Sequence, residues 1–275
     1  MNNYTLYVTK PEASVSVNST MLQTLETCVL AINFLVGVPT HSYVIWLIVT
    51  GRGILSEFFF LNVSVCELGN CLNCLFFVLN MWTSRLFVIE CFLKGLVITG
   101  RPLFQCLMCV ERYLAVVHPV TFLKYKPLRY RVICSAAAWI ICLSSCLCCM
   151  FIVVLSVLYV FMWFLSMQFL VFLSINLLCC VAVLRALKQS GPGERGRERG
   201  EENHMKRRAF HLILITTLNM ITTYVPYILS GIFVIMTTRV VYGLWVTGLI
   251  CYVLAGFVQP VVFLHRAGQF FCLSS

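Results

Sequence analysis

The sequence between Arg131 and Arg185 decides the fold, because it reads VICSAAAWIICLSSCLCCMFIVVLSVLYVFMWFLSMQFLVFLSINLLCCVAVL without a single Lys, Arg, Asp or Glu. A helix needs about 20 apolar residues to cross the roughly 30 Å hydrocarbon core of a bilayer. The stretch is therefore long enough for two membrane-spanning helices. We place them at about 131–155 and 159–186, which leaves almost no length for the connection between them.

The rest of the 275-residue chain has the same character, since 60% of all residues are hydrophobic, 11% are charged and the mean hydropathy is +0.92. A soluble domain would be about half apolar and a quarter charged, so a soluble globular protein is excluded. Strand-like alternation is absent, and lipid offers no partners to open backbone groups. The predicted fold class is an all-α membrane protein with a bundle of seven transmembrane helices, at about 26–50, 57–80, 86–117, 131–155, 159–186, 207–236 and 240–265.

The distribution of basic residues predicts the orientation of these spans. With the N-terminus outside, 15 Lys and Arg residues fall on the cytoplasmic side and 3 on the outer side. Cytoplasmic loops of membrane proteins carry such an excess. We therefore expect an extracellular tail over 1–25, a disordered cytoplasmic loop over about 187–206, a cytoplasmic tail over 266–275, and a location in the plasma membrane.

The two predicted tails carry candidate modification sites. Asn3-Tyr-Thr and Asn18-Ser-Thr are N-glycosylation sequons, which are useful only on the outer side of the membrane. Cys272 lies beside two Phe residues in the C-terminal tail and is a candidate for palmitoylation, with a free thiol as the alternative.

The sequence predicts neither an enzyme nor a metal or cofactor site. It contains no HExxH, GxSxG, Walker or GxGxxG pattern. The pairs Cys71/Cys74 and Cys106/Cys109 have metal-ligand spacing, but they lie at different depths in their predicted helices. The net charge of +10 is assigned to membrane orientation, so that the lipid bilayer is an expected partner and nucleic acid is not.

The run Cys109-Val-Glu-Arg-Tyr-Leu-Ala-Val-Val-His-Pro119 lies at the inner end of the third predicted helix. It closely resembles the rhodopsin-like (class A) family of G-protein-coupled receptors. Gly100-Arg-Pro-Leu-Phe104 and the His118-Pro119 continuation resemble the branch that includes nucleotide, protease-activated and small-carboxylate receptors.

Other helices extend the resemblance over about 26–265, essentially the whole membrane part. Leu61-Asn62 with Glu67 resembles the family's second helix, and Trp139 matches the family's tryptophan in the fourth. Tyr224-Val-Pro226-Tyr resembles Trp-x-Pro-Tyr in the sixth helix, and Gln259-Pro260-Val-Val-Phe resembles Asn-Pro-x-x-Tyr in the seventh.

The resemblance implies an extracellular ligand and a heterotrimeric G protein as partners. It assigns coupling and switching to Glu111, Arg112, Tyr113, Tyr224, Pro226, Gln259 and Pro260. Arg112 would be held at rest by Glu111 and often by an acid at the base of the sixth helix, where this sequence has Lys206. Pro226 and Pro260 would kink their helices and provide hinges.

The sequence also departs from the family pattern at several positions. His41, Gln259 and Phe263 replace residues of the family's inner polar network, and Cys91 lies 21 residues before Arg112 rather than about 25. A non-signalling or truncated receptor-like protein of the same fold therefore stays open as an alternative. A secondary transporter or channel is the alternative of another class, although the sequence shows no internal repeat.

Charges within a membrane span are costly and indicate function. Lys94 lies 18 residues before Arg112, about 27 Å up the third helix, where an ammonium would favour an anionic ligand. A local pair with Glu90, four residues earlier on the same face, is the alternative, and the two can coexist.

Glu67 and Arg101 are predicted to form a buried ion pair. Counted from the cytoplasmic ends of their helices, they lie at similar depths of roughly 15 and 16 Å. An unpaired charge at this depth is expensive, so each would need the other; separate contacts with water or backbone carbonyls are the alternative. In the family the matching acid belongs to a sodium pocket, and Arg101 would place a guanidinium there.

Overall fold

The computed structural model describes residues 13–51, 57–118, 120, 122, 128–155, 157–189, 198–237 and 241–266. These residues form seven α-helices, one short 3-10 helix at Ser84–Leu86 and no strand. The helices are α1 (Ala13–Thr50), α2 (Phe58–Asn80), α3 (Phe87–Val117), α4 (Leu128–Val154), α5 (Leu158–Gln189), α6 (Glu198–Thr237) and α7 (Tyr242–Arg266). The all-helical fold class expected from the composition is thus confirmed for the described part of the chain.

Six of the helices in the described ranges are long and apolar enough to cross a membrane, as expected of a multipass membrane protein. They include α4 and α5, where the spans run over Leu128–Val154 and Tyr159–Ala186. The helix that is not among the six is α3, which carries Glu90, Lys94 and Arg101 within its first half. These charges lower its hydropathy, and they require partners inside the protein.

Two helices begin more than two turns before their predicted spans. The first, α1, starts at Ala13, so the second half of the predicted N-terminal tail is helical. The sixth, α6, starts at Glu198, inside the predicted cytoplasmic loop. Glu, Arg, Met and Lys are good helix formers, so a charged sequence such as the start of α6 can extend a membrane helix beyond the apolar part.

The packing of the helices makes α3 the central element. It contacts α2, α4, α5 and α6, while α7 contacts both α1 and α6. The approach of α3 to α4 is very close at Gly95, where an added Cβ would lie 2.4 Å from the Cα of Cys146. Because that neighbour is backbone, only glycine fits there.

The distribution of polar and apolar side chains is that of a protein in lipid. Buried residues include Glu67, Arg101 and Asn176, whereas large apolar side chains such as Trp46 and Leu178 are exposed on the surface of the helices. In water such an exposed apolar surface would be unusual for a monomer. The polar side chains that could form a functional site within the helices therefore lie in the interior of the protein.

Candidate functional site

The centre of the candidate site is an ion pair between α2 and α3. The Arg101 guanidinium donates to both carboxylate oxygens of Glu67, from Nε to Oε1 and from Nη2 to Oε2, the latter over 2.6 Å. Both side chains are almost completely buried. The structure thus brings together the two charges whose depths agree in the sequence.

The same guanidinium also contacts α7, which the sequence did not indicate. Arg101 Nη1 donates to the backbone carbonyl of Tyr252 over 2.9 Å, and its Cζ lies 3.9 Å from the centre of the Tyr252 ring. A Cβ at Gly256 would lie 2.7 Å from Nη2. Arg101 therefore joins three helices, and the absence of a side chain at Gly256 makes room for it.

Glu67 has one further hydrogen bond, while several other buried polar side chains of the described helices are incompletely bonded. Asn70, one turn from Glu67 on α2, donates to Oε2 over 3.3 Å. Within the described residues, buried atoms of His41, Gln105, Tyr224 and Gln259 have no hydrogen-bond partner. These include Gln105, one turn further along α3 than Arg101, and Tyr224, which is fully buried.

Tyr224 belongs to an aromatic cluster formed by α5, α6 and α7. The Tyr224 ring is 4.3 Å from that of Phe169, and the Tyr227 ring is 5.3 Å from that of Trp245. Pro226 lies inside α6 and Pro260 inside α7, as the sequence indicates. Phe263, three residues after Pro260, stacks on Phe60 of α2 at 5.0 Å.

A second polar junction lies between α2 and α4. The Oδ1 atom of Asn62 accepts hydrogen bonds from Trp139 Nε1 over 2.8 Å and from Ser135 Oγ over 3.0 Å. The Trp139 ring also packs on Phe104 of α3. The two motif residues Asn62 and Trp139, 77 positions apart, therefore meet directly.

Towards the start of α3, Lys94 pairs with Glu90 over 2.8 Å. The second oxygen of Glu90 accepts a hydrogen bond from Asn80 of α2 over 3.0 Å. The side chain of Lys94 is 33% exposed, whereas that of Glu90 is 4% exposed. The local pair is thus present, with the ammonium on its more accessible side. The hydroxyl of Tyr242, the first residue of α7, donates to Glu26 of α1, a contact that no sequence pattern indicated.

At the opposite end of α3, the carboxylate of Glu111 forms an ion pair with Arg131 of α4. The expectation from the resemblance named only Arg112 as its partner, and Arg112 also has interactions of its own here. Tyr113 contacts His118, with the hydroxyl 3.2 Å from Nε2. Arg131 belongs to none of the sequence motifs, so its contact with α3 is shown only by the structure.

The remaining predicted sites add little geometry. Asn3 and Cys272 lie outside the described residues, and Asn18 lies in α1 without a described side chain. Of the cysteine pairs, Cys71 and Cys74 contact Asn33, and Cys106 accepts a hydrogen bond from Asn176. No group of three metal-ligand side chains occurs in the part of the chain that the structure describes.

The chain was compared with models of known protein families and with curated proteins, and neither comparison finds a match.

Proposed function

We propose that the protein is a seven-helix transmembrane receptor of the rhodopsin-like kind, which responds to an extracellular ligand by activating a heterotrimeric G protein. In this proposal α3 also spans the bilayer, because its charged side chains are paired within the protein. The N-terminus is extracellular and the C-terminus cytoplasmic, as the excess of basic residues favours.

The observation that supports this proposal most is the contact of Asn62 with Trp139. The resemblance uses these residues as separate markers of the second and fourth helices. Had either match arisen by chance, there would be no reason for one side chain to donate a hydrogen bond to the other. The position of Glu111-Arg112-Tyr113 in the last two turns of α3 supports the same assignment.

The ligand site is proposed at the outer end of α3, with Lys94 as its basic residue. Glu90 takes one hydrogen bond from Lys94, and an ammonium has three to donate. The remaining donors favour a small anionic ligand, which would share Lys94 with Glu90. Binding there would bias an equilibrium between resting and active arrangements of the helices.

The decisive experiment measures G-protein activation at the cell surface. Wild-type protein and the Arg112→Ala variant are expressed with a panel of G-protein activation sensors, first without ligand and then with small carboxylates and phosphates. Coupling that is present in the wild type and lost in Arg112→Ala, at equal surface level, supports the proposal. Equal responses of the two proteins contradict it.

A non-signalling protein of the same fold is the second candidate, and the Arg101 contacts favour it. Arg101 joins α7 to α2 and α3 in the middle of the protein, which would restrict movement of α7. The same sensor panel separates the two candidates, since a non-signalling protein reaches the surface but activates no G protein. Ion or proton flux in vesicles would instead favour a transporter or channel.

A further inference from the structure

The contact between Glu26 of α1 and Tyr242 of α7 leaves a buried carboxylate without a positive partner among the described residues. Glu26 is only 8% exposed. From the described residues it receives one hydrogen bond, which the Tyr242 hydroxyl donates, and the ion pairs formed within those residues do not include it. A carboxylate can accept about four hydrogen bonds, so acceptor positions of Glu26 stay open.

The carboxylates of Glu67 and Glu90 are buried to a similar degree, but they are neutralised. Each of them pairs with a basic side chain of α3. A buried carboxylate that lacks such a partner is costly in free energy, and charges within a membrane protein are therefore paired or belong to a binding site. Tyr242 supplies a neutral hydroxyl and no positive charge. The arrangement at Glu26 is complete only when a cation joins it.

Glu26 and Tyr242 lie near one end of the helix bundle, where a ligand can reach them. Tyr242 is the first residue of the α7 span, and Glu26 follows Thr20, where the α1 span begins, by six residues. Six residues correspond to about 9 Å along a helix. Lys94, the proposed contact for an anionic agonist, lies on α3. The site at Glu26 is thus formed by other helices than the site at Lys94.

Aromatic side chains accompany the carboxylate on α7. The hydroxyl of Tyr242 holds its ring at Glu26. Trp245 follows one turn later on the same side of α7 and is half-buried, with its ring 5.3 Å from that of Tyr227 on α6. A carboxylate beside aromatic rings is suited to an organic ammonium group, because the ring faces attract the cation.

We propose that Glu26 and Tyr242 form a binding site for a primary ammonium group. The N–H groups of such a ligand donate to the open acceptor positions of Glu26, and its charge neutralises the carboxylate. The ammonium belongs to a free organic amine or to the headgroup of phosphatidylethanolamine, which share this chemistry. The inference goes beyond the proposed function and does not rest on it, because binding is measured without any G protein.

The first experiment measures the binding of free amines to purified protein in detergent. Both n-butylamine and 2-phenylethylamine should raise the melting temperature of the wild type as their concentration rises, whereas n-butanol and sodium chloride should not. Glu26→Gln removes the charge but keeps an acceptor for Tyr242, and it should weaken amine binding about tenfold or more. Without amine, Glu26→Gln should melt at or above the temperature of the wild type, because it contains no unpaired buried charge.

Further variants separate a binding site from a structural tie between α1 and α7. Tyr242→Phe removes the hydroxyl but keeps the ring and the carboxylate, so amine binding should persist. Glu26→Asp keeps the charge and should bind amines better than Glu26→Gln. Thr27→Val is the matched control, since the Thr27 hydroxyl contacts Met81 of α2 and amine binding should be unchanged. If Glu26→Gln lowers the melting temperature without amine as much as Tyr242→Phe does, Glu26 only ties the helices and the inference is wrong.

A second arm of the experiment identifies the source of the ammonium group. The wild type and Glu26→Gln are placed in nanodiscs of phosphatidylcholine with and without phosphatidylethanolamine. Stabilisation of the wild type alone by phosphatidylethanolamine assigns the site to a lipid headgroup, and stabilisation by free amines only assigns it to a soluble ligand. If neither source stabilises the wild type more than Glu26→Gln, the inference is overturned, and Glu26 is neutralised by a proton or by a basic side chain outside the described residues.

Discussion

The charges in the middle of α3 and those near its start are satisfied in different ways. Arg101 and Glu67, the central pair, are almost completely buried, come from different helices and are fixed by further contacts with Tyr252. Lys94 and Glu90, the outer pair, are four residues apart on one helix, and the ammonium is partly exposed. The central pair thus holds helices together, whereas in the proposed receptor an anionic ligand would share the ammonium of Lys94 with Glu90.

The strongest test of this difference is to break the central pair. Glu67→Gln and Arg101→Gln should each lower stability by about 3–5 kcal/mol, because each leaves an uncompensated buried charge. The double variant should lose less than either single variant, since no charge remains. Surface yield and the melting temperature of purified protein are the measurements. Additive losses would show that the two charges are satisfied separately.

Sodium should not change the stability of the protein through the Glu67–Arg101 pair. The Arg101 guanidinium occupies the contacts with Glu67 that a cation would need. Added sodium chloride, compared with choline chloride at equal ionic strength, should leave the melting temperature of the wild type unchanged. A sodium-dependent rise would contradict the assignment of this site to Arg101.

Two glycines of α7 provide a second test, one beside the central pair and one away from it. Gly256 lies against Arg101, whereas a Cβ added at Gly243, at the start of α7, would have no atom of the described residues within 4 Å. Gly256→Ala should lower stability by about 1–3 kcal/mol, the usual cost of overpacking. Gly243→Ala should be neutral or slightly stabilising, because alanine favours a helix. Equal melting temperatures for the two variants would mean that Arg101 moves aside without loss.

The outer pair should affect ligand binding more than stability. If the agonist is anionic, Lys94→Met should weaken its potency by about tenfold or more, as expected for a lost hydrogen bond between charged groups. Lys94→Arg keeps the charge and is the matched control. Cationic agonists, or unchanged potency in Lys94→Met, would exclude Lys94 from the ligand site.

The sequence was sufficient to pair Glu67 with Arg101 because depth along a helix follows from counting residues. The contacts of Arg101 with α7 could not be predicted, since they depend on helix rotation and on which helices are neighbours. Arg131 was missed for the same reason. The early start of α6 at Glu198 was missed because a charged, Gly-rich composition indicates a loop, while its Glu and Arg residues also favour a helix.

The smallest effect is expected at the junction of α2 with α4, because the hydrogen bond between Trp139 and Asn62 involves no charged group, unlike the central and outer pairs. Trp139→Phe keeps a ring that can pack on Phe104 but removes the Nε1–H donor to Asn62. Asn62 Oδ1 retains its hydrogen bond from Ser135, so no buried polar atom of this group is left without a partner. The free energy of unfolding should therefore fall by about 1 kcal/mol, as for an ordinary hydrogen bond.

Asn62→Leu is the sharper variant, because it leaves the Trp139 donor unsatisfied and should lower the free energy of unfolding by more than Trp139→Phe does. The measurement is the melting temperature of each variant compared with that of the wild type. If Asn62→Leu is as stable as the wild type, the contact between the two motif residues contributes nothing, and the strongest structural support for the receptor assignment is lost.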